Sequence, residues 1–319
     1  MKTLRKSSLW LLVIALTINT SSKIKAQSSN NSDYKIYFTL REKPGQNAQI
    51  VYYDGKELKN FTPQGKSSRG ENSPVVSSDG KKIVFSTYHF GGWKAAIANI
   101  DGSNIKQLSN SRNYSGVPSF SKDGKWVVFY EHENGRMGKR NIFKIKTDGT
   151  GKKQLTSNST HHYTPSFSPD GSKITFLSGR GGPNYEVFVM NSDGSNITNI
   201  TNHPSHESAP SWSPDGKQIA FLSIRNGYLN LYTINPDGTK IKNITKNEEK
   251  NFNSFTETDQ SVDELSYLYG TSWSPDGKSI VFVQKIGELQ KLFIINVDGT
   301  NLRELVSTPG NQYKPFWAK

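Results

Sequence analysis

Apolar and polar residues alternate in short runs that recur along the whole chain. Ile83 and Phe85 stand two apart, as do Val127 and Phe129, Ile174 and Phe176, Ile219 and Phe221, and Ile280 and Phe282. A period of two marks a strand with one buried face. Each pair follows a seven-residue landmark, at 74–80, 118–124, 165–171, 210–216 and 271–277, reading PVVSSDG, PSFSKDG, PSFSPDG, PSWSPDG and TSWSPDG. A second alternation precedes another Asp-Gly pair. It runs through Phe143 and Ile145, Phe188 and Met190, Tyr232 and Ile234, and Phe293 and Ile295, with the smaller Ala96 and Ala98 in the first full unit. The Asp residues that follow, together with Asp54, are Asp101, Asp148, Asp193, Asp237 and Asp298, spaced by 47, 47, 45, 44 and 61 residues.

A period near 45 residues built from short strand-like runs predicts propeller blades. Each unit supplies four strands, and the Asp-Gly pairs are the hairpin turns. Gly takes positive φ without steric penalty, and Asp bonds its own backbone. The landmark Pro is expected at a strand's opening residue, where its missing N–H is harmless. The two chain ends are complementary: residues 35–62 hold strands two to four of a unit but no first strand, and 313–317 begin a first strand with nothing after it. The expected fold is therefore all-β, a six-bladed propeller of four-stranded antiparallel blades. Its ring closes by pairing 315–317 with 36–40, which leaves no open edge at the seam. Faces slipped by one residue would expose the Phe series, so Phe129, Phe176, Phe221 and Phe282 are expected in the core.

The repeat unit PSFSPDGSKITFLS followed by YEVFVMNSDGSNITNIT resembles the TolB-type propeller, a WD40-like family, and the resemblance covers about residues 36–317. It implies an exported bacterial propeller, and in that family the propeller takes part in protein contacts. The family's own α/β domain ahead of the propeller has no room between Ala26 and Lys35, so the resemblance is to a lone propeller.

The amino terminus adds a location. Lys2, Arg5 and Lys6 precede an apolar run at 9–18 and a polar stretch ending at Ala26. Ten apolar residues are too few to span a bilayer, and the pattern reads as a secretory signal peptide. The expected plan is a signal peptide at 1–26, a flexible leader at 27–34, and one propeller at 35–319 with an insertion at 246–270. The chain has no Cys. An exported protein without disulfides fits a bacterial periplasm or the medium. Losing the signal peptide takes the formal net charge from +13 to +8, since it holds five Lys or Arg and no acid. That favours anionic partners, while the scatter of the basic residues argues against a nucleic-acid groove. A monomer, without membrane insertion once the signal is cleaved, is expected.

Chemistry is expected on one face. The Asp-Gly turns share a face and are nearly uniform, whereas the loops between strands two and three and the crossings between blades vary, and function concentrates on varied loops of a rigid scaffold. The hairpin loops display Arg41, Arg136, Arg140, Arg180 and Arg225 with Trp93, Tyr185 and Tyr228. Arg forks match carboxylate and sulfate, and aromatic rings stack on flat groups. The crossings add His161, His162, His206 and Glu207, expected to converge at the channel mouth from adjacent blades, with Arg69 nearby. Such a set offers a base, or ligands for a divalent metal. The crossing at 246–270 is long enough to be a lid or an idle insertion. No G-x-S-x-G, H-E-x-x-H or phosphate-loop motif occurs. The function expected first is a binding module for a protein or an anionic glycan at the channel mouth. A propeller-type polysaccharide lyase and a structural role in envelope assembly are the alternatives. No cofactor is expected beyond the possible metal.

Overall fold

The computed structural model of the protein describes residues 34–61, 67–109, 112–135, 138–157, 160–180, 182, 184–247 and 269–319. The signal-peptide, leader and Arg136 readings, and nearly all of the long crossing, lie outside those residues. Among the described residues there is no helix, and the strands form six four-stranded antiparallel sheets. No helix among them is long and apolar enough to cross a membrane.

Five sheets are built from consecutive strands, and the sixth joins the two chain ends. The terminal strand Asn311–Ala318 pairs with Lys35–Arg41, placing Trp317 opposite Ile36 and Gln312 opposite Leu40. We number this closing sheet blade 1 and the others 2 to 6 in chain order. The alternation does what its period demands. Phe38, Phe85, Phe129, Phe176 and Phe221 are fully buried, and Phe282 is nearly so. Each packs on its own strand partner or the adjoining blade, as in the stacked rings of Phe176 and Phe188 at 5.8 Å.

The landmark's Ser and Asp have a local cause. Ser77 Oγ donates to Asp79 Oδ1 at 2.6 Å, the N–H of Lys81 donates to the same oxygen at 3.0 Å, and Gly80 sits at φ 70°. The same Ser–Asp bond, at 2.6 Å, recurs at Ser121, Ser168, Ser213 and Ser274. These bonds hold the turn carboxyls below their usual range. The Ser168 hydroxyl, then that of Ser172, brings Asp170 down to about 2. The turns of this face are structural hardware.

The landmark Pro is not at the strand opening. Pro165 lies inside His162–Phe167, and Pro210 inside Glu207–Trp212. The residue before it makes a β-bulge with positive φ: Ser73 56°, Val117 49°, Thr164 46°, Ala209 54° and Lys314 47°. The register skips there, between Tyr163 and Ser166 and between Ser208 and Ser211. The inner strand has a hydrogen-bonded neighbour on one side only, so a missing N–H on its channel side breaks no ladder. In blade 6 the corresponding position is Gly270, which is not at positive φ. A Cβ there would lie 2.7 Å from Pro315 Cδ and 2.8 Å from Lys314 Cα, so the seam has room only for Gly. The inner strands of all six blades wall a central channel with a cavity of about 520 Å³.

Candidate functional site

The strand order places the two–three hairpins and the blade crossings on the face opposite the Asp-Gly turns. Hairpins of blades 2 and 4 are tied to the next blade through their backbones. Trp93 accepts through its carbonyl from the N–H of Ser115 at 2.9 Å, and Tyr185 from that of Glu207 at 2.8 Å. The loops are thus parts of the ring's own ladder, which fixes where their side chains stand.

Across blades 2 to 5 those side chains form a continuous belt of rings. Trp93 meets Tyr88 edge-on at 5.7 Å, and Tyr88 meets Tyr114 at 6.4 Å with their hydroxyls 3.2 Å apart. Tyr114 contacts His132 at 6.2 Å, His132 contacts Tyr130 at 5.8 Å, and Tyr130 contacts Tyr163 at 6.1 Å. Tyr163 then touches His161 at 6.1 Å and Tyr185 at 5.2 Å, and Tyr185 reaches His206 at 6.3 Å. Gly92 lets the rings close up, since a Cβ there would lie 2.9 Å from Tyr114 Cε1. Trp93, Tyr88, Tyr114, His161, Tyr185 and His206 are half-buried, so each offers part of its surface to solvent.

Two cations join the belt. The exposed Arg69 lies over Tyr88 with its guanidinium carbon 5.0 Å from the ring centre. The buried Arg140 lies over Tyr163 at 4.6 Å and Tyr130 at 5.9 Å. Its Nε donates to His132 Nε2 at 3.0 Å, and its Nη1 donates to the Tyr163 hydroxyl. A planar guanidinium that stacks and donates at once suits this position as an ammonium would not.

The residues expected from the sequence separate into two groups. Trp93, Tyr185, His161 and His206 are members of the belt. His206 Nδ1 also accepts from the Tyr185 N–H at 3.1 Å, which ties blade 4 to blade 5. His162, Glu207 and Arg225 turn into the blades. His162 is fully buried, edge-on to Phe176 at 5.5 Å, and its pKa is pushed down to about 3 by burial, then by Arg180 and His161. Glu207 is bonded by Arg225 Nη2 at 2.8 Å, and Arg225 also covers Phe221 at 5.4 Å and Tyr232 at 5.0 Å. Arg180 is half-buried, with its N–H donating to Ser178 Oγ at 3.0 Å. Tyr228 is half-buried on blade 5, and its carbonyl accepts from Asn230 at 3.2 Å. Of the four residues expected to converge, the structure places His161 and His206 in the belt, while His162 and Glu207, which open their inner strands, are buried. Among the described residues no group of three or more His, Asp or Glu stands at metal-binding spacing.

Sequence reasoning missed Tyr88, Tyr130, Tyr163 and His132. A signal was present for one of them. Tyr130 follows Phe129 where the other units carry Ser86, Leu177, Leu222 or Val283, so a departure from the repeat toward a large ring marks that place, whereas Tyr163 shares its place with Tyr269 and Tyr313 and carries no such mark.

A propeller with this repeat and closure invites comparison with known proteins. A family model described as the TolB beta propeller domain matches residues 27–185 and 183–268. The chain belongs to the TolB β-propeller family. Within it, 43 residues are 44% identical to the Tol-Pal system protein TolB of Wolbachia pipientis subsp. Culex pipiens, covering 14% of this chain and 10% of that protein. Over 57 residues it is 33% identical to the protein TolB homolog of Chlorobaculum tepidum, covering 18% of this chain and 13% of that one. The chain thus matches about a tenth of the length of these curated relatives. Among solved structures, TolB from Acinetobacter baumannii superposes with a TM-score of 0.69 at 22% identity, over 90% of this chain and 67% of that one. Oligogalacturonate lyase from Vibrio parahaemolyticus superposes with a TM-score of 0.56 at 14% identity, over 82% and 72%. At these identities the structural likeness concerns the fold alone. This TolB-family propeller carries its belt on the loop face.

Proposed function

We propose that the protein is an exported recognition module of the bacterial periplasm or medium, and that its partner docks on the loop face across the belt of blades 2 to 5. The observation that carries this reading is the run of rings from Trp93 to His206, in which two half-buried groups, Trp93, Tyr88 and Tyr114 on one side and His161, Tyr185 and His206 on the other, are joined through the buried His132, Tyr130 and Tyr163, with Arg69 above Tyr88. Rigid rings that keep one side wet supply contact area at little entropic penalty, which is why such residues anchor interfaces. Arg69 and the half-buried Arg180 supply forks for carboxylates, and the positive net charge of the chain points the same way. The partner is an acidic segment of another protein, the class of contact the Tol-Pal relatives' name suggests. A second reading, an oligosaccharide bearing carboxylates, is favoured by the same rings, since they stack on sugar faces as readily as on side chains.

The test is direct binding by calorimetry to an acidic peptide library and to oligogalacturonides. Changing Trp93 and Tyr185 together to Ala removes binding, whereas Lys125→Ala on the turn face leaves it intact. Affinity falls with rising salt, because screening shortens to about 8 Å at physiological ionic strength. Binding that survives the belt changes and is lost on the turn face overturns the assignment.

A further inference from the structure

The hydroxyls of Tyr88 and Tyr114 lie 3.2 Å apart where blade 2 meets blade 3. Tyr88 opens the hairpin that follows Lys82–Thr87, and Tyr114 ends the crossing that leads into Ser115–Phe120. Their rings stand at 88° with centroids 6.4 Å apart. Backbone bonds hold both residues in place. The Tyr88 N–H donates to the Gly70 carbonyl at 3.4 Å, and the Tyr114 carbonyl accepts from the His132 N–H at 2.8 Å. Both rings are half-buried, so a small reagent reaches them. Three other tyrosine pairs in ring contact each include a buried ring: Tyr130 and Tyr163 at 6.1 Å, Tyr163 and Tyr185 at 5.2 Å, and Tyr37 and Tyr52 at 5.1 Å.

Two phenols held in contact can couple. A phenol that loses one electron and its O–H proton becomes a phenoxyl radical, with unpaired density on the two carbons that flank the oxygen. Two such radicals join through those carbons. Each joined carbon then passes its hydrogen to its own oxygen, which restores both rings. Two electrons and two protons are lost, one carbon–carbon bond forms, and one hydrogen peroxide is reduced to two waters. Three features of the chain favour this chemistry here. Gly92 presents no side chain to Tyr114 Cε1, one of the flanking carbons, where a Cβ would lie at 2.9 Å. The Arg69 guanidinium carbon stands 5.0 Å from the Tyr88 ring centre, so positive charge on that ring is disfavoured and the electron leaves with its proton. The chain has no Cys, so no thiol of its own diverts the radical and no disulfide ties the blades.

We propose that Tyr88 and Tyr114 form a modification site, at which a peroxide-driven one-electron oxidant of the haem peroxidase class makes a dityrosine bond within one chain. The bond ties the hairpin of blade 2 to the crossing that enters blade 3, joining positions 26 residues apart. A covalent closure of that kind stabilises mainly by restricting the unfolded chain. It needs only that the two rings be held together and reachable, whatever docks on the loop face.

The experiment treats the full chain with a haem peroxidase and hydrogen peroxide, at a dilution that suppresses joining between molecules, with free tyrosine in a parallel reaction to show that the reagent is active. Peptide mapping by mass spectrometry finds a linked pair carrying Tyr88 and Tyr114, lighter by two hydrogen atoms than the separate peptides together. Denaturing electrophoresis keeps the product at the size of one chain. Tyr88→Phe and Tyr114→Phe each remove the link while circular dichroism shows the fold retained, and Tyr52→Phe leaves the link in place. The linked protein melts at a higher temperature than the untreated parent, and treated Tyr88→Phe gains nothing. Absence of the linked pair once free tyrosine has been consumed overturns the inference. So does an undiminished dityrosine signal in folded Tyr88→Phe, or an unchanged melting temperature in the linked protein.

Discussion

Arg225 holds Glu207 through an Nη2–Oε1 bond of 2.8 Å, yet burial raises the Glu207 carboxyl to about 8 against the opposing pull of Arg225. Both findings describe one arrangement: the Glu207 side chain has no exposure, so its charge has lost water and recovered one guanidinium. A carboxyl whose folded pKa lies above its unfolded value of 4.5 binds a proton more readily when folded. Its contribution to stability is therefore fully present below pH 4.5 and is lost as pH rises toward 8. Arg225→Ala leaves the acid alone in the blade, where breaking a buried pair costs about 3–5 kcal/mol once the carboxyl is charged. The loss in melting temperature is expected to be larger at pH 9 than at pH 6. Equal losses at the two pH values would show that Glu207 keeps its charge throughout.

His162 carries the opposite sign. Its pKa is lowered to about 3 from 6.5 by burial first, then by Arg180 and His161, so the unfolded chain binds the proton more readily. Stability present above pH 6.5 is lost as pH falls toward 3. His162→Gln is expected to flatten this acid limb while leaving the melting temperature near pH 8 within a few degrees. The check is a series of thermal melts from pH 4 to pH 8 on both proteins.

The seam is the next test. Trp317 lies opposite Ile36, and Phe316 opposite Tyr37, so the last strand is a whole inner strand of blade 1. Ending the chain at residue 310 strips that strand and opens the ring between blades 6 and 1. A stop at that point is expected to cost several kcal/mol, because each repeat is stable only through its neighbours. An unchanged urea midpoint would refute closure by this strand. Phe176→Ala probes the core in the same assay. It removes a fully buried ring stacked on Phe188, and about 3–5 kcal/mol is expected to be lost.

Blade number, strand faces and closure were legible in the sequence because each rests on a periodicity. A period of two puts Phe129 and Phe221 inside, and a period near 45 counts blades. The site was only partly legible. His161 and His206 stand where the crossings put them, but His162 and Glu207, the next residues along, open inner strands and are buried, and the bulge before Pro165 and Pro210 was not legible either. That bulge has no single sequence signal, since its residue is Ser, Val, Thr, Ala or Lys in different blades. The residue ahead of a Pro is ordinarily extended, so positive φ there is set by the ring and not by local preference.

Arg140 gives the belt its rigidity, and the last prediction follows from its four contacts. Its guanidinium stacks on Tyr163 and Tyr130, donates to His132 Nε2 at 3.0 Å, and donates to the Tyr163 hydroxyl. It therefore joins blade 3 to blade 4 under rings that face solvent. Arg140→Lys keeps the charge but loses the fork and the flat stacking surface. The ammonium would reach one of the acceptors, leaving the other buried, and a buried group left without its bond costs about 1–3 kcal/mol. The melting temperature is expected to fall accordingly. The near-ultraviolet circular dichroism of the tyrosines is expected to weaken as well, because the rings would no longer be held at fixed angles. If Arg140→Lys matches the parent in both measurements, the belt is held by the hairpins alone, and the guanidinium is not what orders it.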